Sequence, residues 1–270
     1  MIDLIRSEWI KFRSVRSTVV TLVLGGAFVV LIAVLSITQT DSSATTCEPA
    51  DTVTPAELAA DQGFCGEGFV AVERPATINL TGITGGVTFA TLLFGVLGVQ
   101  VISQEYRFNT IRPTFTAAPD RRKVLLAKLV VVTGACAAIA AVMVAFCWLM
   151  GTLLADEFVV DAIDRRAALG IVLFSALWTM AGVGVGAIVR QPIAGILILV
   201  GESLIAEQLI GGLLDGTAKW MPFMNGIQMT LRNEEPMEEL LAPLAGGLYF
   251  AAFCAALFVL GTYLADRRDA

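Results

Sequence analysis

The chain has no histidine among its 270 residues. That absence excludes Ser-His-Asp and Cys-His catalysis, HExxH zinc sites and histidine-ligated haem together. Charge is scarce too: 16% of residues are charged, where a soluble domain carries about 25%. No GxxxxGK[ST] phosphate loop occurs, so nucleotide held that way has to sit on another chain. Cysteines number five. Cys136, Cys147 and Cys254 fall in apolar runs, where cysteine behaves as a small hydrophobe. Cys47 and Cys65 share a polar loop and are expected to pair if it faces an oxidising compartment; two free thiols are the alternative.

What is abundant is apolar: 56% of residues, clumped into runs of about twenty. Such runs match a hydrocarbon layer roughly 30 Å thick. They predict an all-α polytopic membrane domain with spans at about 18–37, 80–102, 124–154, 167–189, 193–214 and 242–265. No small-residue cleavage site follows the first run, so it reads as a retained anchor. Between the spans lie loops at 38–79, 103–123, 155–166 and 215–241, and a tail at 266–270 closes the chain. Thirteen of the 18 Lys and Arg fall in segments on the side of the termini, while 16 of the 24 Asp and Glu fall in the three opposite loops. The positive-inside rule therefore predicts six spans in the cell membrane with both termini cytoplasmic. Arg165 and Arg166 break the pattern, and Asp161 and Asp164 are expected to compensate them locally.

Residues 1–17 place Ile2, Ile5, Trp9 and Phe12 at helical spacing among Asp3, Arg6, Lys11, Arg13 and Arg16. That stripe predicts an amphipathic helix lying on the membrane surface, with an ordinary basic juxtamembrane tail as the plainer alternative. Gly82, Gly85, Gly86, Gly95 and Gly98 suit close helix approach in the second span. Gly182, Gly184 and Gly186 look like a dinucleotide loop but sit inside an apolar run, so helix packing is the expectation. Glu202 and Glu207 are costly in the fifth span, at roughly 2.5 to 3.5 kcal/mol each on the scale of other charged residues. On an α-helix they stand about 140° apart, which is no acid-base dyad. They read either as a cation or proton site or, for Glu207 with Gly211, Gly212 and Asp215, as part of a helix that breaks and turns back.

The loop at 103–123 is the basic centre of the chain, with Arg107, Arg112, Arg121, Arg122 and Lys123, and Lys128 just beyond. Pro113 and Pro119 bar one continuous helix there. Charge alone does not separate a docking element from a generic positive-inside loop. The pattern E-x-x-x-[small]-T-I-R…T-x-x-P-x-R…A-K-L over residues 105–128 resembles the loop after the second span in permeases of ATP-binding-cassette transporters, type-two exporter family. The opening SEWIKFRSVRST, residues 7–18, resembles the start of actinobacterial members.

The resemblance implies an interfacial N-terminal helix bearing Ile5, Trp9 and Phe12. It also implies a coupling element that contacts the ATPase through Glu105, Tyr106, Arg107, Asn109, Thr110, Ile111, Arg112, Thr116, Pro119 and Arg121. Lys128 matches as well. Asn109 stands where the family has glycine; Asn tolerates the left-handed conformation, so the turn is expected to survive. A re-entrant segment is implied before the last span, with Trp220-Met221-Pro222 as its landmark. The chain is then a non-catalytic permease subunit, paired with a second permease copy as homodimer or heterodimer. Separate cytoplasmic ATPase subunits would carry ATP and Mg, this chain holding no cofactor or metal and no nucleic acid. Drug or antibiotic, peptide and lipid-like export all remain within that reading. The rival is an ion-coupled carrier in which Glu202 or Glu207 titrates; a scaffold or enzyme is a third reading, the enzyme disfavoured by the missing histidine.

Overall fold

A computed structural model describes residues 2–40, 44–49, 69–74, 77–111, 120–155, 157–232 and 240–267. Arg112, Thr116, Pro119 and Cys65, all singled out in the sequence, lie outside the described residues.

The chain is an all-α multi-pass membrane protein: among the described residues, six helices are long and apolar enough to cross a bilayer. Hydrocarbon offers the backbone no water, so each N–H and C=O must be satisfied within its own segment, and apolar runs become helices. Helix α1 (Ile2–Ser14) precedes the first span, α2 (Arg16–Thr40). A one-turn α3 (Leu80–Ile83) leads into α4 (Gly85–Arg107), so the second apolar run is interrupted at Thr84. Then come α5 (Arg121–Leu154) and α6 (Ala162–Val189). The fifth span is composite: α7 (Pro192–Gly201), a π-helical turn (Glu202–Ala206) and α8 (Glu207–Leu213). A short α9 (Pro222–Ile227) stands before the last span, α10 (Pro243–Arg267). The loops hold a little sheet. Strand β1 (Ala44–Pro49) pairs antiparallel with β2 (Phe69–Arg74), and the two-residue β3 (Ile78–Asn79) pairs in parallel with β4 (Phe158–Val159). Cys47 in β1 is disulfide-bonded, whereas Cys136, Cys147 and Cys254 are free and buried.

Helix α6 is the centre, packed against α4, α5, α7 and α10. Glycine makes this possible. A Cβ on Gly98 would fall against the Thr179 carbonyl, one on Gly182 against the Gly95 carbonyl, and one on Gly184 against the backbone of Leu257. Backbones therefore touch, as in small-residue helix packing generally. Gly95 also leaves room for Trp178, whose indole N–H donates to Leu92 O at 3.4 Å. Gly82 and Gly85 differ from expectation: added side chains there would meet nothing within 4 Å. They flank the break at Thr84 rather than a helix contact.

An aromatic cluster fills the middle: Phe174 and Trp178 of α6, Phe223 of α9 and Phe250 of α10, with ring centroids 4.9 to 6.4 Å apart. Phe223 reaches it because the chain turns back after α8. The Glu207 carboxylate, 2% exposed, accepts the backbone N–H of Phe223 at 2.9 Å and of Met224 at 2.8 Å. It thereby satisfies two orphan donors of α9, while Pro222 at the first position has none to satisfy. Asn225, fully buried, donates to the carbonyls of Ala218, Lys219 and Met221 and accepts from the Leu241 N–H. The Glu207 carboxylate thus ties α8 to the start of α9.

The other acid departs from α-helical expectation. The turn from Glu202 to Ala206 is π-helical, with i to i+5 closure, which rotates residues 202 and 207 onto one side. Their side chains interact, so the 140° separation does not apply. A second correction concerns Asp161 and Asp164. Among the described residues they pair with Arg232, at 2.6 and 2.9 Å, while Arg166 donates to Leu231 O. Asp161 and Asp164 also form a reciprocal capping box at the start of α6, and buried Asp164 accepts from the Thr81 N–H and hydroxyl. This clamp ties the exit of the returning segment to α6 and α3.

Candidate functional site

At the opposite end of the bundle α1 meets the end of α4 and the start of α5. Lys128 lies two turns into α5 and is 1% exposed. A lone buried ammonium would cost several kcal/mol, so its partners decide whether the helix can sit there. Its Nζ contacts Glu8 Oε2 and Glu105 Oε1, both at 2.6 Å. Lys11 Nζ contacts Glu8 Oε1 at 2.8 Å and Glu105 Oε1 at 3.3 Å. The four charges cancel and span three helices. Burial works against the Lys11 ammonium, but the hydrogen bond it donates to Glu8 and the fields of Glu105 and Glu8 outweigh it and raise its pKa.

The quartet fixes how α1 lies. Phe12 joins the core and Ile5 packs against it, while Trp9 is 47% exposed and stacks on Phe12 with centroids 6.2 Å apart. Beside the quartet is a cavity of about 500 Å³, lined among others by Glu8, Lys11, Phe12, Gln100, Gln104 and Glu105.

The end of α4 is a Schellman turn. The Thr110 N–H returns to Glu105 O at 3.0 Å and the Asn109 N–H to Tyr106 O at 3.3 Å. Asn109 adopts φ 54°, the left-handed position the turn demands, where its short amide stands in for glycine. The turn sorts the residues of the basic loop. Glu105 faces the quartet; Ile111, 2% exposed, packs on Val124, Leu4 and Tyr106. Arg107, Phe108, Asn109 and Thr110 are exposed. Arg121 donates to Ala265 O at 2.9 Å, Arg122 pairs with Asp266 at 2.5 Å, and Arg190 reaches Leu264 O at 3.4 Å. These arginines meet the carbonyl end of α10, where cations are favoured. Asp120 caps α5, and its hydrogen bonds with Lys123 hold its carboxyl below the usual range.

No model of a known protein family matches the chain, and no curated protein matches it. Six apolar helices fit a membrane transport protein.

Glu8, Asn225 and the pairing of Arg232 are site features beyond the residues singled out in the sequence. Glu8 carried a signal: it is an acid on the Ile5–Phe12 stripe, and Lys128 is a cation inside an apolar run. Two buried charges of opposite sign predict each other. Asn225 carried none, because its role depends on where a returning chain folds.

Proposed function

We propose that this chain is the membrane-spanning permease subunit of an ATP-binding-cassette exporter, driven by a separate cytoplasmic ATPase. The observation that carries the reading is the ion quartet: Glu8 and Lys11 of α1 share charges with Glu105 of α4 and Lys128 of α5. The three helices then move as one body beneath the Arg107–Phe108–Asn109–Thr110 turn. A partner gripping that turn displaces α1, α4 and α5 together. ATP-driven closure of two ATPases would tilt this body and open a pathway between two permease copies toward the outside. The basic end lies in the cytoplasm in this reading, with α1 along the membrane surface. The disulfide of Cys47, at the other end, fits an oxidising exterior. Drugs or antibiotics, peptides and lipid-like molecules are the substrate classes, and the chain itself carries no catalysis.

Co-purification tests this. The tagged chain, extracted in mild detergent, is expected to retain a phosphate-loop ATPase, and Arg107→Glu with Thr110→Arg is expected to release it. Retention of no ATPase by the unaltered chain would count against the reading. One observation supports a carrier instead: the interacting side chains of Glu202 and Glu207, which open and follow the π-helical turn. Transport by the purified chain alone, abolished by an uncoupler, would establish that alternative.

A further inference from the structure

The cavity beside the ion quartet, of about 500 Å³, lies between α1, α4 and α5 and reaches the start of α2. That size is usual for small-molecule sites, which are mostly apolar with a few placed polar groups. Its polarity is graded along the helices. Leu97 and Val101 of α4 and Val132 of α5 line it a turn or two deeper into their spans than Glu105 and Lys128. Gln100 and Gln104 line it between the apolar walls and the ions.

Glu105 brings an acceptor that lacks a donor. Its Oε1 takes both lysines, whereas Oε2 is buried and no group among the described residues donates to it. A buried carboxylate oxygen left this way is costly and calls for a partner. The Glu105 side chain lines the cavity and is 13% exposed, so a donor seated there lies beside this oxygen. Gln104 Nε2 donates to Gln100 Oε1 at 3.3 Å, which leaves the two amides a carbonyl oxygen and further N–H groups to offer.

Charge decides what kind of donor fits. Glu8, Lys11, Glu105 and Lys128 already cancel. An added ammonium would leave one cation in excess, and an added carboxylate one anion, beside the buried Lys128 and Glu8. An uncompensated charge in such a place is expensive. A hydroxyl serves Oε2 and adds no charge.

We propose that this cavity binds an uncharged amphiphile of the monoacylglycerol type. Its hydroxyl head lies against Gln100, Gln104 and Glu105, and its aliphatic chain runs along Leu97, Val101 and Val132. Seated there it touches α4 and α5 beneath α1, adding packing to the ions that join the three helices. No ATPase takes part, so failure of the binding would leave the transport reading untouched.

The test uses the full chain purified without partners and held in phosphatidylcholine nanodiscs, because sugar-headed detergents are themselves uncharged amphiphiles. A monoacylglycerol with a diazirine on its acyl chain is photolysed with the protein, and labelled peptides are mapped by mass spectrometry. Label is expected on α4 around Leu97 and Val101 and on α5 around Val132. Excess 1-decanoylglycerol should suppress it, and decanoate and decylammonium should not. Gln104→Leu drops the amide at similar bulk and should weaken that competition about fivefold, the worth of one neutral hydrogen bond. Val101→Phe fills the cavity and should abolish the specific label. The ligand-free thermal midpoint of each variant separates loss of the site from loss of the fold, and either variant decides if the other unfolds. Label spread evenly over all the spans, equal suppression by the charged analogues, or unchanged competition in the folded variants would overturn the proposal.

Discussion

Lys128 is the residue on which the basic end turns. Replacing it by Met keeps the stem's bulk but leaves Glu8 and Glu105 facing each other in a site where Glu8 is 4% exposed. The expected loss is about 3 to 5 kcal/mol, the usual consequence of breaking a buried pair from one side. Glu105→Gln is milder, because Lys128 keeps Glu8. Adding Glu8→Gln to Lys128→Met should recover part of the loss, with a coupling of about 0.5 to 3 kcal/mol in a double-mutant cycle read by thermal unfolding in detergent. Strict additivity would mean that Glu8 and Lys128 do not interact. At the other end, the hydrogen bond from Arg232 holds the Asp161 carboxyl down at about 2, against an ordinary 3.8. A depressed carboxylate stabilises the fold above its unfolded value, and that stabilisation is lost as pH falls through the folded one. Unfolding midpoints should therefore be flat from pH 7 to about 4 and fall between about 4 and 2. Arg232→Gln should lower the midpoint at pH 7 and flatten that acid limb, which a pH series on both proteins would show.

The elements divide by how far local sequence decides them. Apolar run length is a property of consecutive residues, so the six spans were legible. The actual helices begin two residues earlier at α2, three earlier at α5 and five earlier at α6, where Asp161 and Asp164 cap polar first turns. The left-handed turn at Asn109 was equally local, because the tolerance belongs to the residue itself. The returning segment was half legible: Glu207, Pro222 and the glycines mark a break, but nothing local says that Phe223 will enter the Phe174–Trp178 cluster. The facing of Glu202 and Glu207 was misjudged because it depends on a π-helical turn, and α-helical angles were the only ones periodicity offers. Within the returning segment, Glu207→Ala strips the Phe223 and Met224 N–H groups of their acceptor, at about 1 to 3 kcal/mol for each buried group left unpaired. Glu207→Gln, which can serve one of them, should fall between. Both are measured by thermal unfolding, and equal midpoints for the three proteins would deny Glu207 its anchoring part. Glycine substitutions separate contact from open space. Gly182→Ala drives a methyl into the Gly95 carbonyl and should cost about 1 to 3 kcal/mol. Gly134→Ala, with nothing within 4 Å, should stabilise α5 by up to about 1 kcal/mol.

At the scale of the whole molecule, each end is organised by a different charge logic. The quartet end leaves Arg107 and its neighbours exposed as a cationic turn, whereas the Asp161–Asp164–Arg232 clamp end uses its arginine to hold two acids. In the proposed reading, force applied to the turn would reach α1 and α5 through the quartet and α6 through the packed glycines of α4. That account requires the turn to face the compartment where ATP is. Cysteine labelling decides the orientation with little background, since Cys136, Cys147 and Cys254 are fully buried and Cys47 is already bonded. Thr110→Cys, on an exposed residue, should react with a membrane-impermeant maleimide in inside-out vesicles and not in intact cells. Val159→Cys, 52% exposed at the clamp end, should show the reverse. If Thr110→Cys were labelled from outside, the positive-inside assignment would be inverted and no cytoplasmic ATPase could reach the turn. With the expected sidedness, the same Thr110→Cys becomes the attachment point for a photocrosslinker, which is expected to capture a phosphate-loop ATPase if the proposed partner grips this turn; capture of no ATPase would count against it.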